Sequence, residues 1–374
     1  MKKIKVLLAF GTRPEAIKMC PLISKLKKDN RFETIVCVSA QHREMLDEVL
    51  EMFDINPDFD LDIMKQNQSI VDISQKVLVG VNEVIKKTMP DIVLVHGDTS
   101  TTLNSALAAF YNKIPIGHIE AGLRTNDIYS PFPEEANRKI TSVIANFHFA
   151  PTKENEENLL KENIDKAKIY ITGNTVIDAL RSVLKRNIVF EQDILNKIDY
   201  DKKIILLTTH RRENMGEPMI NIFKAIIKLV ENNKNTQVIF PMHKNPKIRE
   251  LAHQYFDNYS ERIHLIEPLE YIEFTNLMKK VTLIMSDSGG IQEEAPSLGK
   301  PVIVLRTETE RPEAIKANTV ILGGIEEENI YTISNELLNN DKLYKKMSEA
   351  SNPYGDGYAC ERIIEILYEN FKNN

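Results

Sequence analysis

Short apolar runs alternate with longer amphipathic stretches along the whole of this 374-residue chain. The apolar runs are typical of buried strands in a parallel sheet, and the amphipathic stretches have the spacing of helices. The predicted strands are Lys5–Phe10, Thr34–Ser39, Asp91–His96, Ile114–Ile119, Ile204–Thr208, Gln237–Pro241, Arg262–Ile266, Val281–Met285 and Val302–Leu305. The helices predicted between the first strands are Pro14–Lys28, His42–Phe53, Ile70–Thr88 and Thr99–Tyr111. This alternation predicts doubly wound α/β sheets.

The number of predicted strands indicates two domains. Nine strands over 374 residues fit two sheets better than one, and a chain of this length can bury two cores. We place the first domain at residues 1–172 together with 357–374 and the second at 173–356, with the crossover near Gly173. The segment Tyr358–Phe371 has the apolar stripe of a helix that could pack back on the first domain.

Charge, cysteines and missing motifs exclude several classes of function. A net charge of −6 argues against non-specific nucleic-acid binding. The three cysteines lack disulfide or metal-type spacing, and none of the eight histidines forms an H-x-x-x-H or H-E-x-x-H pair. No G-x-G-x-x-G follows a strand, so the sequence gives no support for NAD binding. The run Val6–Phe10 is too short for a signal or a membrane span, which predicts a cytoplasmic protein.

The string Ser286–Pro301 lies between two predicted strands. Ser288, Gly289 and Gly290 open a predicted helix, whose first N–H groups can bind an anion. The carboxylate of Glu294 can accept hydrogen bonds from ligand hydroxyls. A phosphate beside a ribose would use both features. The alternative is a capped helix after a tight turn.

Three acidic residues lie near the ends of predicted strands. Asp98 follows one strand, Glu120 ends the next, and Glu134 lies in a loop stiffened by prolines. Ligands of open α/β sheets bind beyond the carboxyl ends of the strands. Clustered acids raise one another's pKa, which suits acid–base catalysis. For Asp98 alone, the alternative is a cap on the following helix.

Basic residues also follow predicted strands. Arg13 and Lys18 start the first helix and could hold a diphosphate, or they could be ordinary surface charges. His210 and Arg211 follow a strand of the second half and could neutralise a departing diphosphate. His243 ends the next strand, where a structural histidine is the alternative.

Taken together, these strings resemble those of the non-hydrolysing UDP-N-acetylglucosamine 2-epimerases, from about Lys3 to beyond Ala359. The resemblance also covers strings that begin at Gln41, Thr172 and Asn352. It implies two Rossmann-like domains facing across a cleft, in the glycosyltransferase-B-like arrangement, and a homodimer. It further implies interconversion of UDP-GlcNAc and UDP-ManNAc without metal or cofactor, supplying ManNAc-type sugars for surface polysaccharide.

The resemblance assigns roles to individual residues. The implied catalytic residues are Asp98, Glu120, Glu134 and His210. The implied substrate-binding residues are Arg13, Lys18, Arg138, Phe274, Ser288, Gly289, Gly290 and Glu294. The implied pocket for a second UDP-GlcNAc, acting as activator, consists of Gln41, Gln68, Arg211 and His243.

The chemistry of this reaction accounts for such a set. The C2 proton of the sugar is not next to a carbonyl, so direct deprotonation is unfavourable. Elimination of UDP across C1–C2 and its re-addition avoid this problem, and they require a base, an acid and cations for the leaving UDP. Two alternatives stay open: an epimerase for a UDP-2,3-diacetamido sugar, and a UDP-sugar glycosyltransferase of the same fold.

Overall fold

A computed structural model describes residues 2–41, 43–65, 68–184, 189–309 and 311–372. The chain forms two units, one of Met1–Arg181 with Tyr354–Asn374 and the other of Ser182–Pro353. Within the described ranges, no helix combines the length and the apolar character that a bilayer crossing needs.

The described residues of the first unit form a sheet of seven strands, all parallel. They are β1 (Ile4–Phe10), β2 (Phe32–Val38), β3 (Phe59–Asp60), β4 (Ile92–His96), β5 (Ile116–Ile119), β6 (Phe147–Ala150) and β7 (Ile169–Ile171). Their spatial order is β3-β2-β1-β4-β5-β6-β7. The direction of winding therefore reverses between β1 and β4, where doubly wound sheets bind their ligands.

The helices of the first unit cover this sheet. They are α1 (Arg13–Lys28), α2 (Arg43–Met52), α3 (Ile70–Thr88), α4 (Ser100–Tyr111), α5 (Glu134–Ile144), α6 (Lys153–Lys161), α7 (Thr175–Val183), within which the chain passes to the second unit, and the C-terminal α16 (Ala359–Phe371). A capping box formed by Ser69 and Asp72 starts α3. The buried face of α16, including Ile363 and Leu367, belongs to the same hydrophobic core as β1 and α1.

The second unit repeats the pattern with six parallel strands among its described residues. They are β8 (Lys203–Thr208), β9 (Thr236–Pro241), β10 (Ile263–Ile266), β11 (Leu283–Ser286), β12 (Val302–Val304) and β13 (Val320–Leu322). The helices are α8 (Asp193–Lys197), α9 (Glu217–Asn232), α10 (Pro246–Phe256), α11 (Tyr271–Lys280), α12 (Gly289–Glu294), α13 (Pro312–Lys316), α14 (Glu327–Asn339) and α15 (Asp341–Ser348). The order β10-β9-β8-β11-β12-β13 places the reversal between β8 and β11.

The predicted elements are present in both units, and the fold class of two Rossmann-like sheets is confirmed. All nine predicted strands occur with ends within two residues of those predicted. The second predicted helix is observed as Arg43–Met52, and its predicted first residue, His42, lies outside the described residues. Strands β3, β6, β7 and β13 were not predicted.

Candidate active site

Glu120 directly follows β5, next to the switch point of the first sheet, and lies in a polar network. Its Oε2 atom forms an ion pair with Lys18 and accepts a hydrogen bond of 2.9 Å from Asn174 Nδ2. A carboxylate oxygen that receives a cation and an N–H donor is favoured in its ionised form. Sequence reasoning missed Asn174, although it belongs to one of the strings that carry the family resemblance.

His96, the last residue of β4, is buried behind Glu120. Its Nε2 atom lies 3.9 Å from Glu120 Oε2. Burial lowers the pKa of His96 to about 4, against the opposing effect of the Glu120 charge. The imidazole is therefore neutral near pH 7, and Lys18 is the cation that compensates Glu120.

The backbone of Glu120 adopts a left-handed conformation, with φ of +62°. This conformation costs a non-glycine residue about 1–3 kcal/mol and occurs preferentially at functional sites. Gly97, at the end of β4, is also left-handed, with φ of +67°. A Cβ atom at Gly97 would lie 3.7 Å from Glu120 Oε1, so the two left-handed turns meet at this carboxylate.

Asp98 forms a second network with Arg138 from α5. Arg138 Nη2 lies 2.6 Å from Asp98 Oδ2, and Arg138 Nη1 donates a 3.0 Å hydrogen bond to Glu135. Asn137 Nδ2 also donates to the main-chain oxygen of Asp98, at 2.8 Å. Arg138 is buried, so its two carboxylate partners supply the charge compensation that burial requires.

The pKa of Asp98 is raised. Burial is the main cause, Arg138 opposes it, and the charges of Glu120 and Glu134 add to it. The three predicted acids are therefore close enough for the charges of the other two to raise the pKa of Asp98.

The alternative of Asp98 as a helix cap is wrong, because Thr99 caps α4 by accepting a 3.0 Å hydrogen bond from the Thr102 N–H.

Glu15 is a buried carboxylate that sequence reasoning did not single out. Its Oε2 atom accepts hydrogen bonds from the N–H groups of Gly11 and Thr12, at 3.0 and 2.8 Å, and its Oε1 accepts from Thr99 and Thr102. Burial raises the pKa of Glu15 against these hydrogen bonds. Glu15 thus joins the loop after β1 to the start of α4. The Thr-x-x-Glu capping-box pattern was the available signal.

Arg13 is the first residue of α1 and lies at the same switch point. It is partly buried and forms no ion pair with the described residues. The preceding loop needs glycine, since a Cβ atom at Gly11 would lie 1.8 Å from Ser39 Oγ.

Thr101 joins Ser39 to Gln41, with oxygen–oxygen distances of 2.9 and 3.4 Å. Gln41, from the implied activator pocket, therefore lies near the β1 loop.

In the second unit, Asp287 organises the loop after β8. Its side chain is fully buried, and its Oδ2 atom accepts hydrogen bonds from the N–H groups of His210 and Arg211, both at 2.9 Å. His210 Nδ1 lies 3.3 Å from Asp287 Oδ1. The His210 ring stacks on His243, with centroids 5.6 Å apart. Two residues of the implied activator set, Arg211 and His243, thus surround His210, while Gln41 and Gln68 belong to the first unit.

The helix α12 begins where the sequence predicts, with Ser288 at its N-cap position. Apart from its chain neighbours and the backbone of its own helix, no described atom lies within 4 Å of a Cβ atom built on Gly289, so the space beside this glycine is open to a ligand. Tyr271 donates a 3.1 Å hydrogen bond to Glu294 Oε2. Phe274 lies three residues after Tyr271 on α11 and so shares its face.

The loop after β12, whose role the sequence left unassigned, is anchored on both sides. Arg311 Nε donates to Glu293 on α12 at 2.5 Å, and Arg306 Nε donates to Glu213 at 2.6 Å. These ion pairs tie the loop to α12 and to the segment after β8.

Comparison with known proteins identifies the family. Residues 24–368 match the UDP-N-acetylglucosamine 2-epimerase family. The UDP-N-acetylglucosamine 2-epimerase of Bacillus subtilis is 56% identical over 367 residues, covering 98% of this chain and 96% of that protein. A crystal structure of the Neisseria meningitidis enzyme bound to UDP-GlcNAc has a TM-score of 0.87 at 50% identity, covering 98% of this chain and 100% of that one.

A more distant structure agrees. The UDP-GlcNAc 2-epimerase of Methanocaldococcus jannaschii, in complex with UDP-GlcNAc and UDP, has a TM-score of 0.78 at 35% identity over 98% of this chain and 100% of that one. The predicted family and the fold class of two Rossmann-like domains are confirmed. The chain belongs to the UDP-N-acetylglucosamine 2-epimerase family.

Proposed function

We propose that this protein interconverts UDP-GlcNAc and UDP-ManNAc by elimination and re-addition of UDP. The observation that carries this proposal is the pair of carboxylate networks at the switch point of the first sheet, Lys18–Glu120–Asn174 and Asp98–Arg138. Family membership supports the same activity. The reaction needs no redox step, and acid–base groups with cations supply what it requires.

The two networks suit different proton-transfer roles. Glu120 is compensated by Lys18 and Asn174, which favours the carboxylate that removes the C2 proton. The raised pKa of Asp98 brings this carboxyl group closer to the range in which it exchanges a proton near neutral pH, which suits delivery of a proton to the opposite face. Glu134, whose charge contributes to that raised pKa, assists from α5.

In this proposal the nucleotide is bound by the residues that the family resemblance implies. Arg13 and His210 bind the diphosphate, together with the main chain at Ser288, Gly289 and Gly290. The open space beside Gly289 supports this placement. Glu294, oriented by Tyr271, binds the ribose, and Phe274 flanks the uracil.

The purified protein incubated with UDP-GlcNAc in D2O is expected to produce UDP-ManNAc that carries deuterium at C2. The exchange follows because a side chain removes the C2 proton and equilibrates with solvent before returning one. Proton NMR of the sugar measures both conversion and label. Conversion with the C2 hydrogen retained would exclude elimination. A glycosyltransferase would instead release UDP only when an acceptor is present.

The substrate range is tested by the same measurement. The rates with UDP-GlcNAc and with a UDP-2,3-diacetamido sugar, measured at equal concentration, distinguish the two epimerase activities.

We propose that the product supplies surface polysaccharide synthesis in the cytoplasm. Three free, buried cysteines are consistent with a reducing compartment.

We also propose a homodimer that uses the outer faces of α3, α4 and α5. These adjacent helices expose apolar side chains at Val71, Val79, Phe110, Tyr111, Ile140 and Val143. Exposed apolar surface of this kind is typical of an interaction site. Light scattering after size exclusion is expected to show a dimer, and Val143→Glu should favour the monomer. Val189→Glu, at an equally exposed valine of the second unit, is the control, and a wild-type monomer would contradict the proposal.

The activator pocket stays part of this proposal. Gln41, Gln68, Arg211 and His243 would bind a second UDP-GlcNAc. Rates measured as a function of UDP-GlcNAc concentration test it: activation gives a sigmoidal dependence, and a hyperbolic dependence would exclude it.

A further inference from the structure

Asp287 is a buried carboxylate that the proposed reaction does not yet use. It follows β11 at the switch point of the second sheet, and its side chain is 0% exposed. A carboxylate removed from water is costly unless donors compensate it. The groups around the two carboxylate oxygens therefore indicate which donors this charge orients.

The two carboxylate oxygens of Asp287 have different surroundings. Oδ2 accepts four hydrogen bonds of 2.9 to 3.0 Å, from the hydroxyl of Thr209, the N–H groups of His210 and Arg211, and the side-chain amide of Asn214. Oδ1 accepts no hydrogen bond from the described residues. The four donors fix the plane of the carboxylate and so the direction of Oδ1.

Oδ1 faces the imidazole of His210. Nδ1 lies 3.3 Å from Oδ1, close enough for an ion pair, but the two atoms form no hydrogen bond. The ring is also held by stacking on His243, with an angle of 12° between the planes. Because the His210 side chain is 45% exposed, the ring edge away from Asp287 remains accessible.

We infer that Asp287 is a positioning residue that holds His210 with its Nδ1–H towards Oδ1 and presents Nε2 to the diphosphate. A carboxylate at one ring nitrogen selects the tautomer and stabilises the imidazolium. With UDP-sugar bound, Nε2–H of the imidazolium donates to the leaving diphosphate. This inference rests on the proposed function, which places His210 at that diphosphate.

The competing explanation is that Asp287 only anchors the loop of residues 209–214. The two explanations differ at Oδ1, which a loop anchor would not need. Asp287→Asn keeps the shape of the side chain, and its carbonyl oxygen can still accept the loop donors. Its NH2 group would then face Nδ1, which must become an acceptor. The tautomer of His210 should consequently reverse.

The tautomer is measured by long-range proton–nitrogen correlation NMR on protein labelled with 15N-histidine, without ligand and at a pH where the imidazole is neutral. The His210→Gln spectrum assigns the signals. We expect the Nδ1–H tautomer in the wild type and the Nε2–H tautomer in Asp287→Asn. A wild-type Nε2–H tautomer would overturn the inference, and this result does not depend on whether the variant folds.

Kinetics provide the second measurement. Asp287→Asn is expected to lower kcat by ~100-fold or more, the scale of lost acid–base positioning, with a smaller effect on KM. Asn214→Ala is the matched control, because it removes one donor from Oδ2 and leaves Oδ1 facing His210. Equal losses in both variants, with the tautomer unchanged, would make Asp287 a loop anchor. If the wild type shows the expected tautomer but no epimerisation, the proposed function fails and the positioning of His210 stands.

Discussion

Replacing Glu120 by Gln, Asp98 by Asn or Glu134 by Gln is expected to reduce the rate of epimerisation by ~100-fold or more in each case. The amide can neither take up nor deliver the C2 proton. For Glu120 the substitution also removes the charge that Lys18 compensates and places an NH2 group near the Asn174 donor. Initial rates of UDP-ManNAc formation measure the effect.

Binding of UDP separates loss of chemistry from loss of structure in these variants. The three acids face the sugar in the proposed complex, so UDP affinity should change little. Glu157→Gln, at an exposed position on α6, is the matched control and should retain the full rate. Near-normal rates in all three acid variants would show that the carboxylate networks are structural.

Arg13→Ala and His210→Ala are each expected to weaken UDP binding by roughly tenfold to a hundredfold, because each removes a charge-assisted contact worth ~1.5–3 kcal/mol. The protein carries a net charge of −6, so local cations must supply the attraction for the diphosphate. Isothermal titration calorimetry with UDP measures the effect.

Two further variants sharpen this test. Arg13→Lys keeps the charge and loses the planar fork, so its affinity should lie between those of the wild type and Arg13→Ala. Asp98→Asn should bind UDP normally, since its side chain pairs with Arg138 and faces the sugar in the proposed complex. Unchanged affinity in both alanine variants would place the nucleotide elsewhere.

The sequence alone determined the family and most of the regular structure. The central strands β1, β4, β8 and β11 each contain an apolar run, because both faces of a parallel sheet are covered by helices. The strings that carry the family resemblance contain the candidate acids and cations of the site. The order of the strands places these strings at the two switch points.

Short edge elements depended on tertiary structure. β3 consists of Phe59–Asp60 alone, and β13 of Val320–Leu322, and each is the terminal strand of its sheet. Segments of two or three residues carry too little periodicity to be recognised, and only pairing with a neighbouring strand makes them strands.

The partners of the site residues also came only from tertiary structure. Lys18 and Glu120 are 102 residues apart, and Asp287 and His210 are 77 apart. Sequence spacing predicts contacts within one helix or between neighbouring positions, whereas these pairs meet because strands distant in the chain lie side by side. For the same reason the sequence left Asp98 open between helix cap and acid. Packing excluded the helix cap, by making Thr99 the cap and placing Asp98 against Arg138, and the role of Asp98 as an acid stays a prediction.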